Sequence, residues 1–207
     1  VVPQVALSIV LLSLAGLFVH HLSNLRNQDF GFQRTSLLLM TLDPSKSGYS
    51  RDQLFSPYQN LLGRLEGIPG VRSVTLSGVT PISGAGASRF IEVEGFEEAA
   101  DTRRYVPLNW VGPQYFETFG TPLLAGRDFA FTDKGGPPVA IVNLAMARYY
   151  FGDRNPLGGR FQLVGPSNSG ITGAPPDQVY TIIGVAGDAK YLDLREVPPR
   201  TIYLNAF

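Results

Sequence analysis

Residues that commonly act in catalysis are few in this sequence and are poorly placed for it. The only histidines, His20 and His21, follow an uncharged apolar run, so neither can complete a serine–histidine–aspartate triad inside a folded domain. They also lack the spacing and the carboxylate partners that a zinc site requires. We interpret them as polar residues at the border of an apolar segment. The chain has no cysteine, which excludes disulfides, thiolate metal sites and cysteine nucleophiles.

Carboxylates occur along the chain, but the sequence pairs none of them for acid–base chemistry. Glu92 and Glu94 share one face of a predicted strand, and we expect that face to meet solvent because Ile91 and Val93 occupy the other. Four aspartates lie in or beside loops: Asp128, Asp133, Asp177 and Asp188. Acid–base catalysis would require two carboxylates in a shared cleft, with shifted pKa values.

Nucleotide-binding motifs are also missing from the sequence. Gly84 and Gly86 resemble the start of a dinucleotide fingerprint, but no third glycine and no helix follow them. No glycine-rich loop ends in Gly-Lys-Ser or Gly-Lys-Thr, so this chain is not a P-loop hydrolase. A separate group of aromatic residues could be read as a ligand cage, but its helical spacing favours core packing: Trp110, Tyr115, Phe116 and Phe119. We therefore predict no catalytic residue, no cofactor, no metal ligand and no enzyme.

The composition limits the partners and the fold class. The chain has 207 residues, of which 17 are basic and 17 acidic, and its basic residues are scattered. A nucleic-acid partner is excluded on this ground, because binding phosphates requires a concentrated basic surface. Glycine and proline are frequent, with 23 and 16 copies, which is too many for a helical bundle and is typical of a loop-rich α+β or β domain.

The first 25 residues contain no charged side chain and predict a transmembrane helix over residues 1–25. About 20 apolar residues span the hydrocarbon core of a bilayer. A signal peptide would have a shorter apolar region ending in small residues, whereas this run ends in Leu17, Phe18 and Val19. A buried core helix would have a polar face, which this run lacks. The slight basic excess after the run does not decide which side of the membrane follows.

The residues after the helix predict a βαβ unit. The apolar run at 36–42 is typical of a buried strand, and residues 71–78 alternate as a half-buried strand does. Between them, Ser50 and Gln53 fit a capping box ahead of a helical apolar stripe that reaches Leu65. Pro57 leaves two possibilities: a helix kinked at Pro57, or a helix that starts there with Ser56 as its cap.

The remaining sequence predicts mostly strands with two short helices. Strands are expected at 89–94, 104–111, 138–142, 179–185 and 200–204, and helices at 113–119 and 143–151. Loops rich in glycine, proline and serine are expected at 80–88 and 164–178. We place a seam between two lobes at 79–88. Gly120, Gly126 and Gly187 are expected where the backbone has positive φ or approaches another segment closely.

Several short motifs together resemble the MacB-like periplasmic core domains of ABC transporter permeases, of the duplicated orphan permease type. Residues 111–120 and 123–129 resemble that family's V-S-P-x-Y-F-x-x-x-G and L-x-G-R-x-F stretch. Residues 155–160 resemble its N-P-I-G-K-R motif, with Gly159 where lysine is usual, and 183–188 resemble V-G-V-V-G-D. Residues 139–143 and 147–151 are similar to the segments between them.

The resemblance implies an α+β fold with a transmembrane helix at 1–25, the first half of a porter-like βαβ lobe at 26–88, and a β-rich inserted lobe with short helices at 89–207. It implies a chain cut at both ends, whose missing βαβ segment would leave 36–42 or 71–78 with an unpaired edge. It also implies an inner-membrane location, with the folded domain on the extracytoplasmic side.

The implied function is to transmit conformational change from a separate cytoplasmic ATPase subunit across the membrane. The implied partners are that subunit, membrane lipid, a second permease half or a second copy, and periplasmic proteins. Physical reasoning alone equally allows the ligand-sensing domain of a single-span receptor, which would need a ligand-sized pocket. A membrane-tethered hydrolase is the third reading, and it has no histidine, cysteine or metal cluster to support it.

Overall fold

The computed structural model describes residues 2–26, 31–33, 36–80, 86–96, 105–164, 178–190 and 197–207. The chain divides into two compact units, residues 1–30 and residues 31–207. Three predicted features lie outside the described residues: residues 81–85 of the seam at 79–88, residues 165–177 of the predicted loop, and Asp177 within that loop.

The first unit is a single helix, α1 (Val2–Arg26). Its two serines return their hydroxyls to the backbone: Ser8 Oγ donates to the carbonyl of Gln4 at 2.9 Å, and Ser13 Oγ donates to that of Ile9 at 2.8 Å. These bonds lower the cost of placing a hydroxyl among apolar residues. Among the described residues, α1 is the one helix that is long and apolar enough to cross a membrane. The prediction of a helix in this segment is confirmed.

Seven strands lie in the described part of the second unit, and six of them close into a barrel. The strands are β1 (Ala87–Val93), β2 (Tyr105–Val111), β3 (Leu123–Gly126), β4 (Val139–Asn143), β5 (Arg160–Val164), β6 (Val179–Ala186) and β7 (Ile202–Asn205). Their order is β3-β6-β4-β7-β2-β1-β5, and β5 also pairs with β6, which closes the ring. Strand β3 stands outside the ring and pairs with the second half of β6. A six-stranded ring leaves an interior narrow enough for side chains to fill.

The barrel interior is filled by alternate side chains of its strands and plugged by helix α4 (Leu144–Phe151). Ile91, Leu163 and Val142 are fully buried there, together with Met146 of α4. The helix begins where predicted, because the side chain of Asn143 accepts a hydrogen bond from the Met146 N–H at 3.1 Å.

A second apolar cluster covers the outside of β4 and β7. It is built by helix α3 (Tyr115–Phe119), whose aromatic rings pack on Tyr203 and Ile141. The core interpretation of Tyr115, Phe116 and Phe119 is confirmed, while Trp110 is only half-buried. The predicted start of this helix at 113 was wrong by two residues, because Gln114 adopts a left-handed backbone with a φ of 62°.

The predicted βαβ unit is wrong in its strands. Segments 37–43 and 71–76 form no ladder, and Ser77 makes only an isolated bridge to Val111. The helix between them, α2 (Phe55–Glu66), is present after a 3-10 turn at Arg51–Leu54. The helix begins at Phe55 with Leu54 as its N-cap, so the possibility of a start at Pro57 with Ser56 as the cap was wrong. An apolar run indicates burial, whereas a strand also requires a partner edge.

Two strands were missed by sequence reasoning. Strand β5 does alternate, with Phe161 and Leu163 buried between more exposed residues, so its signal was available. Strand β3 is four residues long and contains a register shift, so it gives no period to detect. Gly126 ends β3 with a φ of 77°, and a Cβ there would collide with the Ile183 carbonyl. The expectations for Gly120 and Gly126 are confirmed, as is the close approach of Gly187 to Pro122.

Candidate functional site

An open groove lies beside the barrel in the folded unit, with a volume of about 1240 Å³. We call it the groove. Its two walls are the segments 36–42 and 70–78, which are the predicted strands that form no ladder. Side chains from α2, the barrel and the end of the chain complete its lining: Tyr58, Leu65, Trp110, Phe119 and Phe207.

The groove walls present apolar side chains to solvent. Leu38 is 83% exposed and Met40 is 66% exposed. Neighbouring side chains on the opposite face of the same segment are also apolar, and Leu39 is 56% exposed. An apolar patch of this kind on an extended segment marks a contact surface, because such side chains gain from removal from water.

The barrel side of the groove is fixed by Asn109 of β2, which is buried. Its Oδ1 accepts from the Val79 N–H at 2.9 Å, and its Nδ2 donates to the Val79 carbonyl at 2.8 Å. The Gly78 N–H donates to the Trp110 carbonyl at 2.7 Å, and the Gly112 N–H donates to the Leu76 carbonyl at 2.9 Å. These hydrogen bonds hold the end of segment 71–78 to the barrel. The earlier residues of the segment form no ladder.

The groove lining offers shape and apolar surface more than reactive groups. Arg72 and Glu117 are its charged residues among those described. Across the described part of the chain, no three residues of metal-ligating type come together. Extended backbone with apolar side chains can bind another extended polypeptide by adding a strand.

Carboxylates that the sequence singled out are dispersed and serve local structure. Glu92 and Glu94 are exposed, as expected, and Glu94 lies 3.7 Å from the Nε of Arg160. Asp188 Oδ1 accepts from Asn143 Nδ2 at 2.7 Å and from the Ala145 N–H at 2.8 Å, close to the first turn of α4. Its place there suits an anion, because a helix N-terminus leaves N–H groups unpaired.

Asp128 and Asp133 lie in one turn but have different environments. Burial raises the pKa of Asp128, although its carboxylate accepts from the backbone N–H groups of Phe129 at 2.7 Å and Gln114 at 3.1 Å. Hydrogen bonds from the Arg127 guanidinium, at 2.7 and 2.9 Å, lower the pKa of Asp133. The two carboxylates thus differ in proton affinity, and each has its own partners.

Asn143 joins three parts of the barrel end and is fully buried. Besides capping α4, its Oδ1 accepts from the Thr201 N–H at 2.8 Å. Its Nδ2 donates to Asp188 and, at 2.8 Å, to the Pro199 carbonyl. Sequence reasoning recognised the cap and missed the other bonds, because Thr201 and Pro199 are more than fifty residues away.

Comparison with known proteins identifies the family. The MacB-like periplasmic core domain family matches residues 5–205. The chain belongs to this family. The match extends over most of α1 and over the whole barrel, so the sequence resemblance is confirmed together with the α+β class. A search of curated proteins gives no match.

Two solved structures are similar in fold. The periplasmic region of MacB from Actinobacillus actinomycetemcomitans is 19% identical, with a TM-score of 0.46, over 72% of this chain and 54% of that one. The extracellular domain of the noncanonic ABC-type transporter YknZ from Gram-positive bacteria is 20% identical, with a TM-score of 0.44, over 72% of this chain and 62% of that one. This chain therefore spans less than two thirds of either domain.

Proposed function

We propose that this MacB-like chain is part of a permease of an ABC-type transporter and that its folded unit lies outside the cytoplasmic membrane. The observation that carries the proposal is the single family match over residues 5–205, which joins an apolar helix to the periplasmic core domain. In this role the domain passes conformational change between the membrane helices and the extracytoplasmic side, as a rigid-body or hinge motion.

The division into lobes is part of the same proposal. Residues 26–88 would form the first half of a porter-like lobe, and residues 89–207 the β-rich lobe, which corresponds to the barrel. The groove would be closed in the whole permease by a further extended segment placed between 36–42 and 71–78. The absence of a ladder at 37–43 and 71–76 among the described residues, and the exposure of Leu38 and Met40, support such an insertion.

A separate cytoplasmic subunit would bind and hydrolyse ATP. The partners we propose are that subunit, a second permease half or a second copy, membrane lipid around α1, and periplasmic proteins. The chain itself would not be an enzyme. This reading is supported by Asp128, Asp133 and Asp188, whose carboxylates are engaged by backbone N–H groups, by Arg127 or by Asn143.

Physical association with an ATPase tests the proposal most directly. The full-length protein would be purified in mild detergent from its own host, and the hydrolysis of ATP would be measured in the eluate. We expect an ATP-binding subunit to co-purify and to remain bound in lipid nanodiscs. A full-length protein that carries one membrane helix and recovers no ATPase would contradict the permease assignment and favour a single-span sensor.

A further inference from the structure

Helix α2 is attached to the barrel differently from α3 and α4. The two apolar clusters that fill and cover the barrel draw side chains from α3 and α4, and none from residues 55–66, among the residues described. Leu62 is the buried residue of α2, and Tyr58 and Leu65 line the groove. Among the described residues, the side-chain hydrogen bond and the ring contacts that join α2 to segments beside the barrel lie at the two ends of the helix.

The first contact surrounds Phe55, at the start of α2. Its ring meets the ring of Phe207 edge-on, with centroids 5.3 Å apart, and approaches that of Phe131 at 6.2 Å. The Nζ of Lys134 lies 3.7 Å from the centre of the Phe55 ring. All three rings are half-buried and Lys134 is exposed. A cation over an exposed ring biases an equilibrium by about two- to five-fold.

The second contact joins the last helical residue of α2 to the turn before α3. Gln114 Nε2 donates to Glu66 Oε1 at 3.1 Å, at the surface. The backbone of Gln114 is held by three further bonds: its N–H donates to Asp128, and its carbonyl accepts from the Thr118 N–H at 2.9 Å and from Thr118 Oγ1 at 2.7 Å. These bonds hold Gln114 in a left-handed conformation that non-glycine residues rarely adopt.

The last residue of α2 therefore meets a turn whose backbone is held by Asp128 and Thr118, and from this turn the Gln114 side chain reaches Glu66. The hydrogen bond between Gln114 and Glu66 is exposed, so water can readily replace either partner. Small surface interfaces without a shared core permit relative motion. Because α2 lines the groove, release of its two ends would move the wall that carries Tyr58 and Leu65.

We propose that the Phe55–Lys134 contact and the Glu66–Gln114 contact form a two-point latch that holds α2 against the barrel. With both contacts made, α2 and the barrel move as one body. With both broken, α2 swings and the groove changes width. The latch itself does not depend on the assignment as a permease, but its use in transmitting motion rests on the proposed function.

Distance measurement between spin labels tests the latch. The chain has no cysteine, so Asn60→Cys on α2 and Asp153→Cys beyond α4 can be introduced into the full-length protein in a thiol-free background, in nanodiscs without nucleotide. Both positions are exposed. We expect one narrow distance distribution. Adding Lys134→Met and Glu66→Ala together should widen it at least twofold or add a second distance, and each alone should give a smaller change.

Conservative variants supply the matched control. Lys134→Arg keeps a cation over the ring and Glu66→Gln keeps a carbonyl acceptor for Gln114, so both should retain the narrow distribution. An unchanged distribution in the double variant would overturn the latch. Unfolding of both single variants would overturn it as well, because the contacts would then belong to the core. Absence of an ATPase partner would contradict the permease assignment and leave this result standing.

Discussion

At the scale of single residues, buried amides organise this domain. Asn109 joins β2 to the segment that ends the groove wall, and Asn143 joins β4 to the loops around Asp188 and Thr201. Each amide has both its oxygen and its nitrogen engaged by backbone groups, which is the condition under which a buried polar side chain stabilises a fold. Such residues connect strands that apolar packing alone would leave free to shift.

Replacing Asn143 with alanine should destabilise the fold by about 3 kcal/mol, because the N–H groups of Met146 and Thr201 would lose the side-chain oxygen that accepts from both of them. Urea unfolding followed by the fluorescence of the single tryptophan, Trp110, would measure it. Asn155→Ala is the matched control: it removes an exposed bond to Leu157 and should cost less than about 1 kcal/mol. Equal costs would contradict the central role of Asn143.

The two aspartates of the β3 turn should give opposite pH dependence. The folded pKa of Asp133 is lowered by Arg127, so its stabilisation is present above the unfolded pKa of about 3.9 and is lost as pH falls through the folded value. The folded pKa of Asp128 is raised by burial, so its contribution is present below about pH 3.9 and is lost as pH rises through the folded value.

Unfolding free energies at pH 3 and pH 7 test these signs with one pair of variants. Asp133→Asn should cost about 1 kcal/mol at pH 7 and little at pH 3. Asp128→Asn should be tolerated better at pH 7 than at pH 3, since it removes a partly buried charge only where the wild-type group is ionised. Parallel pH profiles for the two variants would show that the environments of the carboxylates are not as described.

At the scale of elements, the two short helices α3 and α4 pack on opposite faces of the same sheet. Helix α4 closes the barrel interior, with Met146 and Tyr150 buried inside. Helix α3 covers the outside of β4 and β7 with three aromatic rings, and the Phe116 ring meets that of Tyr203 edge-on at 4.9 Å. A five-residue helix is not stable by itself, so α3 exists because its rings are buried.

Phe116→Ala should therefore destabilise the domain by about 3 to 5 kcal/mol, through lost burial and the cavity left beside Tyr203. The control is Phe90→Ala, on the outer face of β1, where the ring is 52% exposed and packs on Tyr105. That change should cost less than about 1 kcal/mol. Urea unfolding of both variants measures the difference, and comparable losses would mean that the outer face of β1 is covered in solution.

At the scale of the whole molecule, a closed barrel stands beside an open groove. The barrel strands pair with one another around a closed ring within the described chain, whereas segments 37–43 and 71–76 form no ladder. Exposed apolar segments and unpaired edges are surfaces that natural proteins cover. The contrast is consistent with our proposal that a further extended segment covers the groove.

Sidedness is the whole-molecule property that the proposed function requires. Gln59 and Asp153 are exposed residues of the folded unit. Gln59→Cys and Asp153→Cys can each be introduced singly into a thiol-free full-length protein. A membrane-impermeant maleimide should label both in intact cells whose outer membrane, where present, has been made passable. Labelling only after the inner membrane is opened would place the folded unit in the cytoplasm and contradict the permease proposal.

The sequence by itself determined the features that depend on near neighbours. An uncharged apolar run predicted α1, Asn143 marked the start of α4, and short apolar or alternating runs predicted the barrel strands other than β5. Each of these signals arises within one element, where side-chain period and capping chemistry act over a few residues.

Only the tertiary structure decided which strands pair and which segments stay open. The apolar run at 36–42 predicts burial as strongly as that of β4, yet β4 lies between β6 and β7 whereas 37–43 forms no ladder. Likewise, Gln114 is left-handed because Asp128 and Thr118 hold its backbone in place. Pairing and strain depend on groups brought together from distant parts of the chain, which a local pattern does not encode.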